Sequence, residues 1–140
     1  MPKFLVAVDG SEHSERTVRH VAELAPMLRD LRVRLVTVEP KPVDWQMHGM
    51  ERDAAITHLR SLGERRLEPG RAILHAAGIT YEATVELGEP AETIARVAAE
   101  AGCDQIVMGT RGLGTVRSLV LGSVATKVVH LAGVPVMLVK

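Results

Sequence analysis

Met108-Gly109-Thr110-Arg111-Gly112 is followed by nine residues and then by Gly122-Ser123-Val124, a spacing that offers bare backbone to an anion. Glycine has no Cβ, so the main chain there can turn tightly and bring its N–H groups close to a ligand. Ser123 has the chemistry of a cap for the helix Val124 to Leu131, whose positive end would face the same pocket and favour a phosphate. These residues predict a nucleotide site. Without a Gly-Lys-Ser/Thr sequence to supply a P-loop lysine, Arg111 and Arg117 are the nearby candidates to neutralise phosphate; the plainer alternative is a pair of solvated loop arginines. Lys127 sits one turn into the last helix and is expected to face solvent.

Other chemistries find less support. The six histidines, His13, His20, His48, His58, His75 and His130, lack the close i, i+4 pairing of a helical zinc motif. Neither a Gly-x-Ser-x-Gly elbow nor a Ser-His-Asp set at strand ends is present. Thr110, Thr115 and Ser118 carry hydroxyls of the type that accepts a phosphoryl group, yet hydroxyls are common in polar loops. Cys103 is the only cysteine, so an internal disulfide is excluded; a small, half-buried residue ahead of a strand is its simplest reading.

The chain has 140 residues, the size of one domain, here 1–140, and can bury a core without cross-links. Its 46% of hydrophobic residues fall in short periodic segments, none long enough to span a bilayer. Met1-Pro2-Lys3 leads straight into an apolar strand-like run, without a secretory leader pattern, so a cytoplasmic location is expected. Seventeen basic residues balance seventeen acidic ones, and Phe4, Trp45 and Tyr81 lie far apart. Nucleic acid is therefore not an expected partner, and neither is a membrane.

Several elements must position the glycine stretch. Lys3-Phe4-Leu5-Val6-Ala7-Val8-Asp9 reads as a central strand buried on both faces and ending in a carboxylate. Ser11 can cap a helix whose Val18, Val21, Ala22, Ala25 and Leu28 share one face. Val33 to Glu39 is a second strand stopped by Pro40 and Pro42, and the loop through Trp45 to Gly49 could form a flap. Met50 to Ala77 is helical in pattern, with Ala55, Leu59 and Leu62 on one stripe and Ile73, Ala76 and Ala77 on another. Pro69-Gly70 between them predicts a kink or a break.

Ile79 to Leu87 gives a third strand, and Gly88-Glu89-Pro90 opens a helix with Ile94, Val97, Ala98 and Ala101 inward. Gln105 to Met108 and Val136 to Val139 are the fourth and fifth strands. Such alternation implies parallel pairing through right-handed crossovers, hence an open α/β sheet with helices on both faces. Ligands bind such sheets beyond the carboxyl ends of the strands, where strand order reverses. If the first and fourth strands are neighbours, Asp9 and Gly109 share that crevice. The carboxylate of Asp9 would then be a ligand; capping the first helix from one residue outside is the alternative.

Phe4-Leu5-Val6-Ala7-Val8-Asp9-Gly10-Ser11, the spacing Gly109-x2-Gly112-x9-Gly122-Ser123, and Val134-Pro135-Val136-Met137-Leu138-Val139 together resemble the universal stress protein family, specifically its ATP-binding branch. The resemblance covers the whole chain. It implies a Rossmann-like, five-stranded parallel sheet in the order 3-2-1-4-5. It also implies ATP, with Mg²⁺, as the ligand: Asp9 facing the ribose or a metal-bound phosphate oxygen, Ala7 and Val38 lining the adenine pocket, and Val38 giving main-chain hydrogen bonds. Met108, Gly109, Arg111 and Gly112 would wrap the ribose and phosphates, while Gly122, Ser123 and Val124 present N–H groups to the outer phosphates and Ser123 adds its hydroxyl. Pro69-Gly70 and the variable position of Arg111 depart from the pattern.

In that family the last strand commonly joins two subunits. Physics points the same way, since an apolar edge without charge or proline over Val136 to Val139 needs a cover, and two-fold pairing is the simplest. The expected activity is binding: a nucleotide-responsive regulator of the stress response, acting as a homodimer on a protein partner that the sequence does not identify. A slow ATPase or self-phosphorylating protein, and an interaction module independent of nucleotide, are the alternatives.

Overall fold

Five parallel strands form one sheet in the order β3-β2-β1-β4-β5 in the computed structural model, which describes residues 1–42, 49–112 and 121–140. The strands are β1 (Lys3–Ala7), β2 (Arg32–Glu39), β3 (Thr80–Leu87), β4 (Gln105–Gly109) and β5 (Val136–Val139). Between them run α1 (Glu12–Leu24), α2 (Gly49–Ala76), α3 (Pro90–Glu100) and α4 (Ser123–Leu131). The architecture and strand order expected from the sequence are both present. The loop around Trp45 lies outside the described residues.

Alternation along the strands divides the core in two. Phe4, Val6 and Val8 of the first strand segment, with Val33 and Leu35, pack beneath Val18 and Val21 of α1 and Leu67 and Leu74 of α2. Leu5, Val36, Ile106 and Met108 point to the other face, under Ile94 and Val97 of α3 and Ala125 and Val128 of α4. Each fully buried aliphatic side chain contributes roughly 1.5–3 kcal/mol. Cys103 is buried in this second layer, and desolvation pushes its thiol above the ordinary value. It is a packing residue and a poor nucleophile.

Helix ends follow their local chemistry. Ser11 caps α1, its side chain accepting from the N–H of Ser14. Pro26 then converts the helix exit into a 3₁₀ turn over Ala25–Met27, so Ala25 and Leu28 of the expected stripe belong to the turn and its exit. Glu89 caps α3 ahead of Pro90.

Of the kink or break expected at Pro69-Gly70, the break does not occur. α2 runs through it over 28 residues, because one inward stripe, Gly63, Leu67, Gly70 and Leu74, continues across the proline. The carbonyl that Pro69 leaves without its helical donor belongs to Arg65, an exposed residue that water can reach. Ala76 and Ala77 are exposed rather than inward. The two glycines set the distance between helix and sheet: a Cβ on Gly63 would stand 2.5 Å from Cγ1 of Val85, and one on Gly70 3.0 Å from Cδ2 of Leu35.

Gly63→Ala is expected to destabilise the fold by about 1–2 kcal/mol in urea unfolding, since overpacking outweighs the gain in helix propensity. Adding Val85→Ala should recover part of that loss. Equal losses in the single and double variants would contradict this account of the contact.

Candidate functional site

The crossovers after β1 and β2 place α1 and α2 on one face, whereas those after β3 and β4 place α3 and α4 on the other. The chain therefore leaves the neighbouring strands β1 and β4 toward opposite sides of the sheet. Their pairing runs from Phe4↔Gln105 to Val6↔Val107 and stops, which opens a crevice beyond their carboxyl ends. A cavity of about 260 Å³ occupies it, slightly below the usual size of small-ligand pockets.

All ten residues singled out from the sequence line this one cavity. Ala7 and Asp9 come from the end of β1, and Val38 from β2. Met108, Gly109, Arg111 and Gly112 come from β4 and the turn after it, while Gly122, Ser123 and Val124 come from the start of α4. Arg117, Thr115 and Ser118 lie outside the described residues. Lys127 is mostly exposed, 3.9 Å from a Glu89 oxygen, and is not among the lining residues.

Asp9 is held in place by the start of α1. Its Oδ1 accepts from the N–H of Ser11 at 3.0 Å and from the hydroxyl of Ser14 at 2.6 Å, and its own N–H donates to Oγ of Ser14 at 2.8 Å. The expected alternatives for Asp9 thus coincide: the carboxylate supports the first turn of α1 and also borders the cavity. Its other oxygen faces Gly112, where a Cβ would collide with Oδ2. Only glycine lets the two segments close this tightly. Gly109 is similarly enclosed, with a hypothetical Cβ 3.1 Å from the carbonyl oxygen of Arg111 and 3.4 Å from Oγ1 of Thr17.

Two details of the last helix differ from the sequence reading. The N-cap is Gly122, not Ser123, and no side chain among the described residues caps the helix; Ser123 is its first residue. Moreover, the N–H of Gly122 donates to the carbonyl of Thr110 at 2.6 Å, tying together the two feet of the intervening segment. Gly122 therefore closes the loop instead of presenting its N–H to a phosphate. The amides of Ser123, Val124 and Ala125 remain as the first-turn donors of α4, groups for which a helix supplies no internal acceptor, and all three residues line the cavity.

Main-chain polarity also converges at Val38. The carbonyl of Val36 accepts from the N–H of Val8, so by the two-residue repeat the polar groups of Val38 point the same way, past the last paired residue of β1. An adenine ring could be met there by both a donor and an acceptor.

Several lining residues escaped the sequence reading: Ser14, Arg66, Pro90 and Ile94. Ser14 had a usable signal, being three residues after the Ser11 cap. Arg66 had none, as one of several arginines along a helix whose inward face was obscured by Pro69. Its partner Glu39 is 1% exposed at the end of β2, and Nη1 of Arg66 donates to both Glu39 oxygens, at 3.0 and 3.1 Å. Removing Arg66 would leave the buried Glu39 charge uncompensated, the costly way to break such a pair.

The Rossmann-like α/β sheet, with exposed backbone amides at its strand-order reversal, is an architecture suited to anionic ligands. The chain belongs to the universal stress protein family, whose model matches residues 1–140. A universal stress protein of Thermus aquaticus, from the QAH/OAS sulfhydrylase 3′ region, is 38% identical over 139 residues, which are 98% of this chain and 97% of the relative. The solved structure of the hypothetical protein MJ0577 is 27% identical and superposes with a TM-score of 0.85, over 99% of this chain and 94% of the other. That of a universal stress protein from Archaeoglobus fulgidus, in complex with dAMP, is 27% identical with a TM-score of 0.69, covering 100% of this chain and 98% of the other.

Ser14→Ala should lower stability by about 1.5–3 kcal/mol, the range for losing a hydrogen bond to a charged group, as read by chemical denaturation. A variant as stable as the parent would show that Asp9 is not held by this hydroxyl.

Proposed function

We propose that this chain binds an adenine nucleotide in the crevice between β1 and β4, with ATP carrying Mg²⁺ as the physiological ligand. One observation carries the reading: the glycine backbone after β4, the first amides of α4 and the polar main chain of Val38 converge on a single cavity. The dAMP complex of the Archaeoglobus fulgidus relative supports the ligand class.

Ala7, Met108 and Val38 supply apolar walls and main-chain hydrogen bonds to adenine. Asp9, with its orientation fixed by Ser11 and Ser14, is suited to a ribose hydroxyl or to the metal ion accompanying the phosphates, because a bare carboxylate repels them. Gly109 and Gly112 give the backbone close access, and the amides of Ser123 and Val124 meet the phosphates with the helix dipole behind them. The hydroxyl of Ser123 and the guanidinium of Arg111 are additional phosphate contacts. Mg²⁺ would bring its charge with the nucleotide and draw on Asp9.

Binding is the proposed activity, and its consequence is regulatory: the ligand favours whichever state of the protein it contacts best, and a protein partner reads the surface that results. The expected working form is a cytoplasmic homodimer joined through β5. That strand is an edge of the sheet, and its four apolar residues are only half buried within one chain. Among the described residues, no helix is long and apolar enough to cross a membrane.

Calorimetric titration with Mg-ATP should give a saturable, one-site signal per chain. Gly112→Ala should weaken it at least about tenfold while retaining cooperative unfolding, since the new methyl group drives the carboxylate of Asp9 out of position. No saturable heat at millimolar nucleotide, or undiminished affinity in the variant, would contradict the proposal.

A further inference from the structure

Among the described residues, Arg66 is the only residue of α2 that lines the cavity. It reaches the site from the opposite side to the phosphate-facing backbone. The start of its side chain passes beneath Gly10, where a Cβ would stand 3.0 Å from Cγ of Arg66. Its far end meets Glu39, the residue after Val38. Two strand spacings, about 10 Å, separate the end of β2 from the glycine backbone of β4. An anion held by α4 therefore leaves the nucleoside half of a ligand, not its phosphate tail, to approach Arg66.

The ion pair determines what kind of contact this residue offers. Glu39 engages Nη1 through both oxygens, while Nε and Nη2 make no hydrogen bond with the described residues and retain their donors. The carboxylate is buried, whereas the arginine side chain is 30% exposed. Charge cancels within the pair, so little attraction for phosphate remains. The pair nevertheless anchors the guanidinium at Nη1, and anchored donors discriminate strongly between ligands that have a matching acceptor and those that lack it.

We propose that Arg66, oriented by Glu39, is a specificity-determining residue for the nucleoside half of the ligand, donating from Nε or Nη2 to an acceptor on the base or ribose. This rests on the adenine-nucleotide reading above and adds a contact that the glycine stretch does not supply. Glu39 is a positioning residue, acting through Arg66.

The test is a cycle of ligand against protein, read by calorimetry. The variants are Glu39→Gln/Arg66→Met, which removes both charges together, and Arg66→Lys, which keeps the ion pair but removes the Nε and Nη2 donors. The ligands are adenosine, AMP, ATP, and AMP analogues lacking the 2′-hydroxyl, the 3′-hydroxyl or one ring nitrogen. Both variants should bind AMP about tenfold or more weakly, with the same factor for adenosine and ATP. One analogue should lose its penalty in the variants, because its missing acceptor is the partner of Arg66. Three results would overturn the inference: unchanged affinity, a loss that grows with phosphate number, or analogue penalties identical in parent and variants. Failure of the parent protein to bind any adenine compound would instead refute the nucleotide reading, and this inference with it.

Discussion

Two neighbouring strands that send their chains to opposite faces of a sheet cannot cover each other's ends. β1 and β4 are such a pair, and the structure of the site follows from their divergence. Past Val6↔Val107 the ladder ends, and the backbone that continues from each strand needs new hydrogen-bond partners or a ligand. Asp9 settles much of its own side by bonding to Ser11 and Ser14. Across the gap, Gly122 returns to the carbonyl of Thr110, which leaves the next amides of α4 as the donors aimed outward. The cavity is the space between these two solutions.

The far wall depends on a different constraint, the closeness of α2 to the sheet. Gly63 and Gly70 remove the side chains that would hold the helix away from Val85 and Leu35. With the helix drawn in, Leu67 and Leu74 are fully buried, and Arg66 is carried to the ends of β1 and β2. The proline in this helix is tolerated because its lost hydrogen bond lies on the exposed side, whereas the packing stripe lies inward. A substitution at either glycine thus acts on the site through the distance between layers, even though neither residue lines the cavity.

How far the sequence revealed this depended on whether a signal was local. Strand runs such as Phe4 to Val8, with their continuous apolar character, and the glycine spacing after Met108 can be read directly, because each depends on a few adjacent residues. Strand order was accessible through the family resemblance, since alternation alone does not say that β4 lies beside β1. The cap of α4 was misread by one residue: Ser is a better cap than Gly by side-chain chemistry, but the closure of Gly122 on Thr110 decides the register. Pro69 was weighed by its local cost, which tertiary packing exceeds. Arg66 and Glu39 were invisible as a pair because 27 positions separate them and only the packed helix brings them together.

The central claim, that the first amides of α4 and the backbone after β4 receive a phosphate, is tested most directly by amide chemical shifts of the isotopically labelled protein during titration with AMP and Mg-ATP. The account predicts large, saturable shifts at Gly112, Ser123, Val124 and Ala125 with both ligands, together with Val38 at the adenine end. Saturable shifts confined to the groove between α3 and α4, near Glu89 and His130, with these amides unmoved, would contradict it.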